Sequence, residues 1–254
     1  MADISVNLNM VFDEDTFEAR IERAAETDAT AVGTYGKGPE ELRDLVPVAR
    51  DHGLAFGYAS SLVGPINDPD RTEQSVQEIH DAVALADELG IELLNVSPGA
   101  DLQGVSDVKQ FAACTAVLRE GTRVAEEAGI TLLLEPLNTA VDHPGTWLVE
   151  SGRAFDLVTA VDHPNLGVLF DIYHQQITEG NVTQLLTENL DAIAHVHVAD
   201  VPGRHEPGTG ELAYERILPE LLEAGYDGYI GCEFTPVGGP RAAVSNVAEM
   251  IEND

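Results

Sequence analysis

Four positions in the second half of the chain end an apolar run with a group that can bind a cation or move a proton. Leu132-Leu133-Leu134 runs into Glu135, and Val168-Leu169-Phe170 runs into Asp171. His195-Val196-His197 carries two imidazoles, and Ile230-Gly231-Cys232 runs into Glu233. The separations from Glu135 to Asp171, Asp171 to His197 and His197 to Glu233 are 36, 26 and 36 residues, one strand-helix unit each. A carboxylate taken out of water is costly unless it is paired or bound to a cation. Three carboxylates near one imidazole therefore call for something positive, and a divalent metal supplies it. Three oxygen donors and one nitrogen suit Mn²⁺ or Mg²⁺, with Co²⁺ a further fit. Zinc more often takes thiolates or several histidines. Any one of these acids alone would read as a strand-end cap or an ion-pair partner; the set of four reads as a metal site. His195 and His197 are two apart on a strand and share a face. His197, nearer the carboxyl end, is the better ligand candidate and His195 the hydrogen-bonded neighbour. A shifted strand boundary would exchange the two.

The elements that must position these groups are visible as apolar runs. Five occupy Ile4–Met10, Thr30–Gly36, Leu54–Leu62, Ile91–Ser97 and Ile130–Leu137. Three more occupy Leu166–Tyr173, Ile193–Val201 and Tyr229–Phe234. Most are apolar throughout, as in strands buried on both faces, while the first alternates. Helical patterns lie between them, as in Val76, Ile79, Val83 and Ala86, one face at three- and four-residue steps. Four helices end alike, with a glycine and then an apolar strand: Gly53-Leu54, Gly90-Ile91, Gly129-Ile130 and Gly225-Tyr226. Eight strand-helix units in 254 residues predict a single (β/α)₈ barrel, an α/β fold spanning residues 1–254 as one domain. An open doubly wound sheet usually begins with a glycine-rich phosphate loop, and no G-x-G-x-x-G or Walker sequence follows a strand here. Gly208-Thr209-Gly210 reads as a turn. In a barrel the chemistry gathers at the carboxyl ends of the strands, where the four groups lie.

Composition narrows the partners. Asp and Glu number 45 against 13 Lys and Arg, a formal net charge of −32. Such a surface repels nucleic acid and anionic membranes, so neither is expected as a partner. Only Lys37 and Lys109 are lysines, and an acidic excess of this kind suits a protein living in concentrated salt, where screening weakens self-repulsion. Cys114 and Cys232 form no disulfide framework and no paired zinc motif, and read as buried small hydrophobes. No basic leader or apolar signal core opens the sequence, and no apolar stretch reaches membrane-spanning length. The expectation is a soluble cytoplasmic protein.

Longer motifs carry a resemblance. Glu135-Pro136-Leu137-Asn138-Thr139, Val141-Asp142-His143-Pro144-Gly145 and Phe170-Asp171-Ile172-Tyr173-His174-Gln175-Gln176 resemble stretches of the hydroxypyruvate isomerase family. So do the run Ala199 to Glu211 and Gly225-Tyr226-Asp227-Gly228-Tyr229 followed by Glu233. That family sits within the xylose isomerase-like barrel superfamily, which includes ketose 3-epimerases. The resemblance spans residues 130–237 and implies a divalent metal held by Glu135, Asp171, His197 and Glu233. It also implies that Glu135 and Glu233 are the acid/base pair, and that His174 and Arg204 contact substrate oxygens. Asp142, His143 and His205 receive no role. The amino-terminal half departs from the pattern: strand 2 reads Ala31-Val32-Gly33-Thr34-Tyr35-Gly36, where relatives usually end in Glu and an aromatic segment.

The implied reaction moves a proton between adjacent carbons of a small hydroxy-carbonyl or sugar substrate through an enediolate. Interconversion of hydroxypyruvate and tartronate semialdehyde is the leading expectation. A ketose 3-epimerase or an aldose-ketose isomerase with the same ligands is the rival. An abasic-site endonuclease on the same barrel would use several zinc ions and many histidines, and Tyr58-Ala59-Ser60-Ser61 offers none at strand 3. A sugar-binding barrel without catalysis would need no paired glutamates. Pairing of outer barrel faces makes a homodimer or homotetramer the expected assembly.

Overall fold

The computed structural model describes residues 2–14 and 16–252. Eight parallel strands close on themselves in sequence order: β1 Asp3–Asn7, β2 Ala31–Thr34, β3 Ala55–Ser60, β4 Leu93–Asn95, β5 Thr131–Leu134, β6 Leu166–Asp171, β7 Ile193–Val198 and β8 Tyr229–Cys232. Closure is made by β1 against β8, with Ser5 opposite Gly231 and Val6 opposite Cys232. The (β/α)₈ barrel predicted from eight repeating units is the observed fold. Helices α1 Phe17–Ala24, α2 Pro39–Asp51, α3 Thr72–Leu89, α4 Asp107–Ala128 and α5 Ser151–Val161 follow the first five strands. The short α6 Ile172–Thr178 and α7 Val182–Glu188 follow β6, α8 Tyr214–Glu223 follows β7, and α9 Pro240–Glu252 follows β8.

The outer layer forms for the reasons its pattern suggests. Ile79, Val83 and Ala86 of α3 are buried against the sheet, with Val76 packed at the edge of the core. Gly121 lets α4 approach α3 closely, since a Cβ there would meet Ile79 at 3.0 Å. Gly90 and Gly129 end α3 and α4 in the left-handed conformation, at φ 60° and 70°, which a side chain would strain. Cys114 and Cys232 are buried free thiols.

Every strand ends before its apolar run does, and three of these differences bear on the site. The first strand stops at Asn7, with a turn at residues 8–10, and its Ser5 and Asn7 do not face water. Ser5 and Asn7 are 0% and 1% exposed, because in a closed barrel the second face of a strand is the lumen. The fourth strand is only Leu93–Asn95. The sixth gives way at Asp171, whose carboxylate accepts the backbone N–H of Tyr173 (2.9 Å) and caps α6.

Candidate active site

Register brings the chemistry together. Asp171 ends β6 directly opposite His197 of β7, and His197 lies opposite Gly231 of β8. Gly231 has no side chain because a Cβ there would stand 2.5 Å from the His197 ring. Glu135 and Glu233 are the first residues beyond β5 and β8. One ligand atom from each of Glu135, Asp171, His197 and Glu233 lies within 4.8 Å of the others. His197 is 1% exposed and neither of its ring nitrogens has a hydrogen-bond partner among the described residues. A buried imidazole whose nitrogens make no well-aligned hydrogen bond, beside three carboxylates, belongs to a donor set that fits a hard divalent ion. The cluster could hold such an ion. His195 lies outside the cluster, its ring centroid 4.8 Å from that of His197 and both nitrogens unpaired.

Each glutamate is oriented by an amide from an adjacent strand. Asn95, the last residue of β4, donates Nδ2–H to Glu135 Oε2 (2.7 Å). Asn7, the last residue of β1, donates to Glu233 Oε1 (2.7 Å). The other oxygens face His197, with Nδ1 3.3 Å from Glu233 Oε2 and 3.9 Å from Glu135 Oε1.

Arg204 reaches the same oxygens from the loop between β7 and α8. Its Nη2 donates to Glu233 Oε2 (2.5 Å) and lies 3.3 Å from Asp171 Oδ2, and the guanidinium stacks over the Tyr173 ring. Asp200 holds this loop in shape: its buried carboxylate accepts the backbone N–H groups of Val201, Gly208, Gly210 and Leu212. His174 sits in the first turn of α6, with Nε2 3.4 Å from Asp171 Oδ2 and 3.4 Å from Arg204 Nη2. Asn138 presents Nδ2–H to its Nδ1 at 2.6 Å, while Asn138 Oδ1 accepts from Val141 and Asp142. That assigns the His174 proton to Nε2, facing the cluster.

The electrostatics divide the glutamates. Burial and the charge of Glu233 push the Glu135 carboxyl up to about 8. Burial raises Glu233 too, but His197 and Arg204 outweigh it and hold Glu233 well below the usual carboxylate range. His197 is lowered by burial, yet Glu233, Glu135 and Asp171 together lift it to about 9. Burial holds His174 below its ordinary value and so neutral, and it keeps the Tyr58 phenol protonated.

A cavity of about 350 Å³ opens above these groups, lined also by Tyr35, Tyr58, Ser60, Ser97 and His143. All six residues singled out in the sequence, Glu135, Asp171, His174, His197, Arg204 and Glu233, meet here. Sequence reasoning missed Asn7, Tyr58, Asn95, Asn138 and His143. Asn95 carried a signal, since it follows Leu93-Leu94 at the end of its strand as the acids do, whereas Asn7 stands in an alternating strand. His143 stood in a quoted motif without a role, and its ring lies 5.3 Å from that of His174.

The closed parallel barrel and this cluster at its carboxyl rim have the arrangement of a (β/α)₈-barrel enzyme. The profile of the xylose isomerase-like TIM barrel family matches residues 21–253, and the chain belongs to that family. It is 33% identical over 244 residues to hydroxypyruvate isomerase of Escherichia coli K12, covering 93% of this chain and 94% of that one. It is 32% identical over 256 residues to 2-oxo-tetronate isomerase of Cupriavidus necator, covering 96% of both. A solved structure of an AP endonuclease, family 2, from Brucella melitensis superposes with a TM-score of 0.90 at 28% identity, over 98% of this chain and 99% of that one. The fold is shared with 3-keto-D-glucoside 4-epimerase of E. coli, at a TM-score of 0.83 and 23% identity over 98% of this chain and 99% of that one. The chain is an enzyme, an isomerase of the hydroxypyruvate isomerase-like kind. Among the described residues no helix is long and apolar enough to cross a membrane.

Proposed function

We propose that this enzyme interconverts hydroxypyruvate and tartronate semialdehyde by a proton shift between C3 and C2, with Glu135 and Glu233 as the acid/base pair. The observation that carries the reading is the pair of amide-oriented glutamates converging with Asp171 and His197 beneath the cavity. Glu135, Asp171, His197 and Glu233 would hold the divalent ion, for which Mn²⁺ or Mg²⁺ suits the oxygen-rich set and Co²⁺ is a further candidate. When bound, such an ion supplies electrophilic stabilisation of the oxyanion developing on the substrate carbonyl.

Glu233, the carboxylate that Arg204 and His197 keep ionised, takes the C3 proton. Glu135, a carboxylate when it holds the ion, takes the C3 hydroxyl proton and returns it to C2. The proton on Glu233 then passes to the oxygen on C2, so the product is the isomeric aldehyde with no net gain or loss of atoms. Arg204 and His174 present N–H donors at the cavity wall, where a substrate carboxylate and hydroxyl would be received.

The two curated relatives are named for a hydroxypyruvate and a 2-oxo-tetronate activity, which supports a hydroxylated 2-oxo acid as substrate. A ketose 3-epimerase or aldose-ketose isomerase is the second reading, since the same groups serve either proton shift. The acidic surface and the single cluster of three carboxylates and one imidazole among the described residues argue against nucleic-acid cleavage.

Incubation of metal-stripped protein with hydroxypyruvate in deuterated water, with and without Mn²⁺ or Mg²⁺, tests the proposal by proton NMR. Metal-dependent tartronate semialdehyde, or deuterium at C3, is expected. Exchange into fructose but not hydroxypyruvate would transfer the assignment to an epimerase. Glu233→Gln should retain substrate binding and lose exchange; binding without turnover in the unmodified protein would make the barrel a sugar binder.

A further inference from the structure

Gly33 of β2 carries no side chain, and the structure shows what that makes room for. Gly33 is the register partner of Tyr58 on β3. A Cβ on Gly33 would stand 2.1 Å from Tyr58 Cε1 and 2.2 Å from Cδ1. Glycine is therefore required by packing, and it admits the whole Tyr58 ring into the lumen. The ring is 2% exposed, its centroid 5.2 Å from that of His197, and the residue lines the cavity.

The surroundings of the phenol oxygen leave its proton uncommitted. Asn7 Oδ1 accepts the backbone N–H of Asn9 (2.8 Å), which fixes the amide so that Nδ2 faces the site. Asn7 Nδ2 then donates to Tyr58 Oη (2.5 Å) and to Glu233 Oε1 (2.7 Å). Tyr58 Oη is an acceptor toward Asn7, so its own hydrogen must go elsewhere. Its nearest acceptor is Glu233 Oε1, at 3.5 Å, the outer limit of a hydrogen bond and already served by Asn7. In the closed strand order β3 lies across the lumen from β7, whose following loop carries Arg204.

We infer that Tyr58 is a catalytic hydrogen-bond donor, its Oη–H turning from Glu233 to the substrate oxygen that becomes negative as the neighbouring carbon loses its proton. The phenol keeps its proton throughout; no bond is formed or broken at Tyr58. The inference rests on the isomerase reading above and adds a donor on the wall facing Arg204 and His174. Such a contact strengthens as charge develops, so it acts on turnover more than on substrate binding.

Tyr58→Phe removes one oxygen and keeps the ring that fills the space at Gly33. In the metal-loaded enzyme its kcat for hydroxypyruvate, or for whichever ketose the unmodified enzyme exchanges, should fall about 10–100-fold. KM and the Mn²⁺ dissociation constant should stay within about twofold. Gly33→Ala, which drives the ring aside, should lose kcat similarly, and should add less than about twofold in the Tyr58→Phe background. A Tyr58→Phe enzyme with unchanged kcat overturns the inference, as does a loss confined to KM. Parallel weakening of Mn²⁺ binding would reduce Tyr58 to a prop for Glu233. An unmodified enzyme that exchanges no substrate overturns the isomerase reading and this inference with it; exchange indifferent to Tyr58→Phe overturns this inference alone.

Discussion

Arg204 Nη2 lies 2.5 Å from Glu233 Oε2, inside the cluster that could hold a metal ion. Asp171 Oδ2 is 3.3 Å from the same nitrogen. Arg204 therefore addresses two of the four ligand side chains, and with the protonated His197 it balances their charge when no ion does. A buried carboxylate left without its cation is strongly destabilising. Arg204→Gln should cost the metal-free protein about 3 kcal/mol, read by chemical denaturation. The metal-loaded protein should lose less, because the ion takes over the neutralisation. With the competing charge gone, Mn²⁺ should bind roughly tenfold more tightly by calorimetry. Weaker Mn²⁺ binding in the variant would show that Arg204 supports the ion and does not compete with it.

Metal binding should release protons. His197 is lifted to about 9 and Glu135 to about 8, so both carry a proton at pH 7 in the metal-free protein. Coordination needs the neutral imidazole and the carboxylate. Affinity should climb as pH rises from 7 and level off above the higher of the two values. Calorimetry at pH 7 in buffers of different ionisation heat should count about two protons released per ion. The same groups set the metal-free stability profile. For both, the folded value exceeds the unfolded one, so their contribution is complete below the unfolded pKa and is lost as pH rises through about 8 and about 9. Glu233 acts in the opposite sense, contributing above its unfolded value and losing that contribution in acid. Metal-free protein should thus melt progressively lower from pH 7 to pH 9.5, while the loaded form should not.

The barrel and the four cluster residues were legible because both leave periodic marks. A strand buried on two faces must be apolar for its whole length, so an acid at its end stands out, and repetition at about one strand-helix unit gives the fold. The lumenal place of Ser5 and Asn7 was not legible in that way. A polar residue alternating with apolar ones normally marks a wet face, and only closure of the sheet turns that face into the lumen. Tyr58 left no mark at all. Its reach to Glu233 depends on Gly33, 25 residues earlier, being too small to block it, a relation that exists only between strands. The hold of Asn138 on His174 is likewise a contact between the loop after β5 and the first turn of α6.

Asn95 and Asn7 hold their glutamates by one oxygen and leave the other for chemistry. Removing either donor lets the carboxylate rotate without emptying the core of bulk. Asn95→Ala should lower kcat about 10–100-fold while the protein remains folded by circular dichroism. Asn95→Asp is the sharper variant, since it preserves shape but faces Glu135 with a second carboxylate. It should raise the Glu135 pKa further and shift the ascending limb of the rate profile to higher pH. A profile that does not move would mean that Asn95 does not govern Glu135.

Asp200 is 0% exposed and accepts four backbone N–H groups, three of them from Gly208, Gly210 and Leu212 far along the same loop. It touches no group of the cluster, yet the loop it closes carries Arg204 at φ 57°, a conformation unfavourable for a side-chain-bearing residue unless its surroundings impose it. Gly210 approaches so closely that a Cβ would stand 2.1 Å from Val201 O, so the loop has little room to repack. Asp200→Ala leaves these donors buried and unpaired, and should cost about 2–4 kcal/mol. Because Arg204 is positioned through this loop, the variant should also relieve the competition for the cluster. Its Mn²⁺ affinity should move in the same direction as that of Arg204→Gln, and combining the two substitutions should give less than the sum of their effects on Mn²⁺ binding. Fully additive shifts would mean that Asp200 stabilises the loop without placing the guanidinium.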